Sequence, residues 1–154
     1  KGLNPKENRT IPPLRYDMVQ KLKENNPNLI IEINGGFLDI EQCEQALHLF
    51  DGVMVGRNAY RYPLRWQNID NKFYEKNFSE KKASGVISSL IPYFEKHLEN
   101  DGASWDICKH LINLVVNIPM AKKWRKEISI KSIAGKLTPE DLYSSANKLK
   151  DIGY

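Results

Sequence analysis

Two short apolar runs, each closed at once by glycine and separated by one helical segment, constrain this chain more than any other feature. Leu29-Ile30-Ile31-Glu32-Ile33 is β-branched and mostly apolar, and it runs directly into Asn34-Gly35-Gly36. Val53-Met54-Val55 runs in the same way into Gly56-Arg57. The pattern predicts two strands, the first buried on both faces, each ended by a tight turn. Between them Asp39 stands three residues before Gln42 in a capping-box arrangement, and Ile40, Cys43, Leu47 and Phe50 form the apolar stripe of a helix that Asp51-Gly52 stops. Upstream, Leu14, Met18 and Leu22 mark a further amphipathic helix running from Leu14 to about Asn25. Helix, strand, helix, strand in this order reads as two successive units of a parallel α/β sheet.

After Pro63 the strand signals stop. Residues 67–79 are polar and dotted with aromatics and read as a linker. From about Glu80 the pattern is helical throughout. Val86, Leu90, Phe94 and Leu98 recur at intervals of four, and Cys108, Leu111 and Val115 follow a Ser104 cap. A third helix is predicted over 120–129, and a fourth starts at Thr138-Pro139 with Asp141 in its first turn and stops at Gly153. The expected organisation is an α/β part over 1–66, a linker over 67–79 and a small helical bundle over 80–154.

Several function classes fall away on composition. No apolar run approaches the roughly 18 residues that cross a bilayer, and the opening KGLNPKENR has no apolar core of a secretion signal. No membrane partner is therefore expected, and a cytoplasmic location is the default. Cys43 and Cys108 form no CxxC and have no histidine at zinc-ligand spacing, so they read as reduced core thiols, with no metal site. His48, His97 and His110 show no recognisable spacing to a carboxylate or nucleophile and read as structural or surface residues.

Two features carry candidate chemistry. Parallel strands that both end in glycine set two groups of backbone N–H at one rim of the sheet, where a dianionic phosphate binds. Glycine lets the main chain approach the oxygens, and Arg57 adds a bidentate charge. The candidate cradle is thus Asn34, Gly35, Gly36, Gly56 and Arg57. Gly-Gly after a strand is by itself only a turn, but a second strand-Gly-Arg about twenty residues later moves the reading toward a phosphate site. In (β/α)8 barrels the loops after strands 7 and 8 are the usual phosphate site, though FMN and phosphorylated sugars are both held this way. The second feature is charge. The chain's net +4 is too small to argue for nucleic acid, yet Lys122, Lys123, Arg125, Lys126, Lys131 and Lys136 cluster around one acid, Glu127. Such a cluster is an RNA-facing patch or a solvated helix face.

Read in order, four blocks resemble the A subfamily of bacterial tRNA-dihydrouridine synthases: Gly2-Leu3-Asn4-Pro5-Lys6-Glu7-Asn8-Arg9, Ile11-Pro12-Pro13-Leu14-Arg15-Tyr16, Glu32-Ile33-Asn34-Gly35-Gly36, and Gly52 to Tyr60. Ile91-Pro92-Tyr93, His110-Leu111 to Pro119, and Ala121-Lys122-Lys123-Trp124-Arg125 resemble that subfamily's helical domain. The resemblance implies the last two βα units of a (β/α)8 TIM barrel followed by the helical domain. It implies that Asn34, Gly35, Gly36, Gly56 and Arg57 hold the phosphate of FMN, and that Lys6, Arg9, Lys122 and Arg125 touch tRNA. The implied activity is reduction of a D-loop uridine (20/20a type): reduced FMN passes a hydride to uracil C6, a cysteine protonates C5, and NADPH recharges the flavin.

That cysteine is expected on strands preceding Lys1, so no catalytic residue is expected in this stretch, and an N-terminal barrel half is the implied partner. The whole protein is expected to be a monomer, and the stretch alone to be unstable or self-associating. Departures from the family pattern are Asn4 where serine is usual, residues other than glycine near Asn117 and Met120, and lysine for arginine at Lys122 and Lys123. The rival readings are a non-catalytic tRNA-binding module and an unrelated phosphate-binding barrel enzyme.

Overall fold

Two three-residue strands organise the first part of the chain. In the computed structural model, which describes residues 2, 4–7 and 13–154, β1 (Glu32–Asn34) and β2 (Gly52–Met54) pair in parallel, with Glu32 opposite Gly52, Ile33 opposite Val53 and Asn34 opposite Met54. The chain divides into two compact units, residues 1–56 and 57–154. The first also holds α1 (Tyr16–Asn25) and the crossover helix α2 (Ile40–Leu47). Its buried apolar residues are Ile33, Phe37, Ile40, Cys43 and Phe50.

The ladder starts later than the apolar run suggests. Ile30 is 85% exposed, and β1 alternates exposed, buried, exposed, with Ile33 alone pointing inward. A strand is buried on both faces only when both faces are covered, and among the described residues the sheet has two strands. For the same reason Leu14, Met18 and Leu22 are exposed, and the helix expected from Leu14 starts at Tyr16, so that Leu14 precedes α1. At α2, Asp39 Oδ1 accepts from the Gln42 amide at 2.8 Å. The Gln42 side chain accepts from Leu38 N rather than Asp39 N, so the reciprocal bond falls one residue earlier than a capping box.

Asp51 fixes where the strands meet. Its carboxylate accepts from the Ile31 amide at 2.8 Å and from Lys23 Nζ at 2.7 Å, while its own amide donates to Ile31 O at 3.1 Å. Lys23 Nζ also donates to Leu29 O at 2.7 Å. One carboxylate and one ammonium thus join the end of α1 to the entries of both strands.

The second unit holds α3 (Arg57–Arg61), a 3₁₀ turn (Pro63–Trp66), α4 (Ile69–Tyr74), α5 (Ala83–Glu99), α6 (Ser104–Leu111), α7 (Ala121–Ile133) and α8 (Pro139–Asp151). The stretch read as a linker contains α4, and Asn71 ties it back to Phe78 through both its amide atoms, at 2.8 and 2.6 Å. Packing of α5 on α8 and of α6 on α7 encloses one core that includes Ile87, Phe94, Cys108, Leu111, Val115, Ile128 and Leu142. The inward face of α5 is turned from the expected one: Ala83, Ile87 and Phe94 are buried, whereas Val86, Leu90 and Leu98 are half-buried. Ser104 does not cap α6. The cap position is Ala103, and the Ser104 hydroxyl instead donates to Ser132 O of α7 at 2.9 Å. Thr138 and Asp141 do form a full capping box on α8.

Between α6 and α7 the chain passes through the left-handed region twice, at Asn117 (φ 58°) and Met120 (φ 65°). A Cβ is strained in this region, and asparagine adopts it more readily than methionine. Met120→Gly is expected to raise stability by about 1 kcal/mol, read as a higher urea midpoint at unchanged slope.

Lys23 and the Ile31 amide hold the Asp51 carboxyl below its ordinary value, and Lys131 with Thr138 does the same for Asp141. A depressed folded-state value means that the stabilisation is complete above about pH 4 and is lost as pH falls through the lower folded value. The protection factors of amides between residues 31 and 54, taken against the intrinsic exchange rate at each pH, are expected to fall on acidification below about pH 4. Asp51→Asn should give the lowered protection factors at neutral pH and remove their further fall with acid.

Candidate phosphate site and nucleic-acid interface

The parallel register settles the relation between the two glycine turns. Asn34 and Met54 are the last paired residues, so Gly36 and Gly56 each lie two residues beyond the ladder, at the same end of neighbouring strands. Both are exposed, and among the described residues neither amide donates to a protein acceptor. Adjacent strands lie about 4.8 Å apart, close enough for two amides to share the oxygens of one phosphate. Asn34 is exposed and Gly35 half-buried in the same turn. Arg57 opens the second unit as the first residue of α3, with its side chain exposed.

The glycines differ in why they must be glycine. Gly35 (φ 115°) and Gly36 (φ 75°) are left-handed, and Leu14 and Tyr16 close over them. The Tyr16 hydroxyl donates to Gly35 O, and a Cβ at Gly36 would stand 2.6 Å from that hydroxyl. Gly56 has no such constraint, since a Cβ there would meet only the end of the Met54 side chain, Sδ at 3.8 Å and Cε at 3.9 Å. The Gly35-Gly36 turn is therefore required by the fold, and Gly56 is free to serve a ligand.

In the N-terminal block, Asn4 Oδ1 accepts from the amides of Lys6 and Glu7 at 3.0 and 2.9 Å, and Glu7 Oε2 accepts from Asn4 N at 2.9 Å. Asparagine thus supplies the side-chain acceptor that serine would supply in the family pattern, and the turn sets Lys6 outward. Arg9 lies outside the described residues.

The basic cluster separates into two groups. Lys122, Lys123, Lys126 and Lys136 are exposed, and the first three share one side of α7. Arg125 is half-buried and donates from Nη1 to Val115 O at 2.6 Å. Lys131 pairs with Asp141 at 2.8 Å, a contact that raises the lysine and lowers the acid from their ordinary values. Two of the six cations therefore hold the bundle together, while the exposed lysines face solvent.

Both thiols are core groups. Cys108 is fully buried, and burial pushes it up to about 11; burial, then the Asp39 charge, raises Cys43. Neither is a thiolate near neutral pH. Sequence spacing missed two histidine partnerships. His97 Nε2 lies 3.8 Å from Asp106 across the α5–α6 turn, and His110 Nδ1 lies 2.9 Å from the Tyr60 hydroxyl. The second pair is fifty positions apart in sequence, so no local signal could reveal it.

Two parallel strands that each run into a glycine turn, and a separate helical unit with exposed lysines on α7, are what the two units of the chain offer to a ligand. The chain belongs to the dihydrouridine synthase (Dus) family, whose profile matches residues 2–147. It is 40% identical over 149 residues to a tRNA-dihydrouridine(20/20a) synthase of Synechocystis sp., a match covering 97% of this chain and 45% of that protein. Similar proteins of the same description from Shewanella oneidensis and Vibrio parahaemolyticus are 42% and 39% identical over 128 residues, covering 83% of this chain and 38% and 39% of theirs. The chain spans less than half the length of these relatives.

Gly36→Ala is expected to lower the unfolding midpoint of the first unit, by about 1–3 kcal/mol for a forced left-handed side chain. Gly56→Ala should leave it unchanged, as measured by urea titration followed through hydrogen exchange in residues 31–54.

Proposed function

We propose that this chain supplies the flavin-phosphate cradle and the RNA-binding bundle of a flavin-dependent tRNA-dihydrouridine synthase of the 20/20a type. The observation that supports this reading is the β1–β2 register, which ends both strands at one rim of the sheet, with Gly36 and Gly56 each two residues past the last pair. When bound there, FMN would supply the hydride for reducing the uracil double bond, with NADPH as the source of electrons. Asn34 and Gly35 shape the first turn, the amides of Gly36 and Gly56 bind phosphate oxygens, and Arg57 adds charge from the start of α3. The remaining strands of a TIM barrel would cover Leu14, which precedes α1, and Met18 and Leu22, which α1 leaves exposed. The acid that protonates the uracil would come from that remainder, because Cys43 and Cys108 are buried thiols.

The tRNA backbone would meet Lys6 and the exposed lysines of α7, Lys122, Lys123 and Lys126. Arg125 contributes by holding Val115 O, which fixes the loop that leads into α7. Lysine at 122 and 123 keeps the charge of the family's arginines without their bidentate fork, so each binds a phosphate as a point charge.

In equilibrium dialysis FMN is expected to bind the chain at least about tenfold more tightly than riboflavin, which lacks the phosphate. Gly56→Ala should remove that difference while leaving the unfolding midpoint in place. Equal affinity for the two flavins in the parent chain would overturn the cradle. For tRNA, Lys122→Ala with Lys126→Ala should reduce the slope of log affinity against log salt by about 0.9 for each RNA phosphate that is no longer neutralised. An unchanged slope would remove α7 from the interface.

A further inference from the structure

The second unit contains a cavity of about 420 Å³ that neither the glycine cradle nor the α7 lysines use. It lies where the 3₁₀ turn, the first residues of α5 and the segment 113–118 come together. Its size falls in the range of small-molecule sites. Leu64, Leu114 and Ile118 give it apolar walls, Tyr62 and Tyr154 give it two aromatic rings, and Arg65 and Lys82 give it two cations. The Arg65 guanidinium lies over the Tyr62 ring, 4.5 Å from its centroid, so the pair forms a flat cationic plate. Among the described residues neither Arg65 nor Lys82 has an acidic partner. The first turn of α5 contains no acidic residue either.

A ligand that uses all of these features has two unlike parts. An uncharged apolar molecule would engage only the walls, and a bare anion only the two exposed cations. A flat ring carrying a phosphate satisfies both.

We propose that this cavity binds a nucleotide, with the base against the Tyr62–Arg65 plate and the phosphate at Lys82. Bases stack on aromatic rings and on guanidinium planes alike, and a lysine serves a phosphate as a point charge. The site is independent of the flavin reading, since all its residues lie in the second unit. A free nucleotide and a single unstacked nucleotide of an RNA strand present the same chemistry to it.

The test is equilibrium dialysis of labelled UMP against the 154-residue chain. UMP should bind saturably and at least about tenfold more tightly than either uridine or inorganic phosphate. Lys82→Ala, which changes an exposed side chain, should weaken UMP about tenfold and leave uridine unaffected. Arg65→Lys keeps the charge but loses the plane, and should weaken UMP and uridine alike. Photo-cross-links from 4-thio-UMP should map to the segments 62–65 and 113–118. A single-stranded oligouridylate that competes for the cross-link more strongly than UMP identifies RNA as the source, and one that fails to compete identifies a free nucleotide. The proposal is overturned by an absence of saturable UMP binding, by cross-links elsewhere, or by Lys82→Ala binding UMP as the parent does.

Discussion

The Asp51 carboxylate is the interaction on which the first unit depends. Three-residue strands carry too few ladder hydrogen bonds to select a register alone, and slipping by one residue would turn Ile33 out of the core. Asp51 prevents this by binding the Ile31 amide and Lys23 together, while its own amide returns a bond to Ile31 O. With Glu32 held opposite Gly52, Gly36 and Gly56 each fall two residues past the ladder. The end at which both glycine turns emerge is therefore fixed by a register set at the opposite end of the strands.

The bundle shows how one cluster of like charge divides between structure and surface. Arg125 and Lys131 face the body of the bundle, where a carbonyl and a carboxylate receive them. The exposed lysines of α7 have water as their alternative, which leaves them hydrated at no desolvation cost. Tertiary partners perform the division, since Arg125, three residues from the exposed Lys122, meets the Val115 carbonyl.

Much of this organisation is readable from local patterns. The strand-glycine pairs, the α1 stripe and the Thr138–Asp141 box each lie within a few residues, and local spacing reports local geometry. The readings that shifted concern burial and partner choice. Ile30 is apolar yet exposed, and the buried face of α5 passes through Ile87 rather than Val86. Ser104 has the chemistry of a cap but lies against the Ser132 carbonyl, and a bond to another helix displaced the local one. The pattern of a helix says that it has a buried face; the neighbouring helices decide its angle.

The sequence by itself determined the alternation of helix and strand, the glycine turns, the cationic segment and the family to which the chain belongs, because each depends on residues close together along the chain. Only the tertiary structure decided that Gly36 needs glycine to clear Tyr16 while Gly56 does not, that Arg125 holds Val115, that Tyr60 meets His110, and that Tyr62, Arg65 and Lys82 line one cavity. These relations join residues distant in sequence, and their geometry is fixed by packing, which no local pattern encodes.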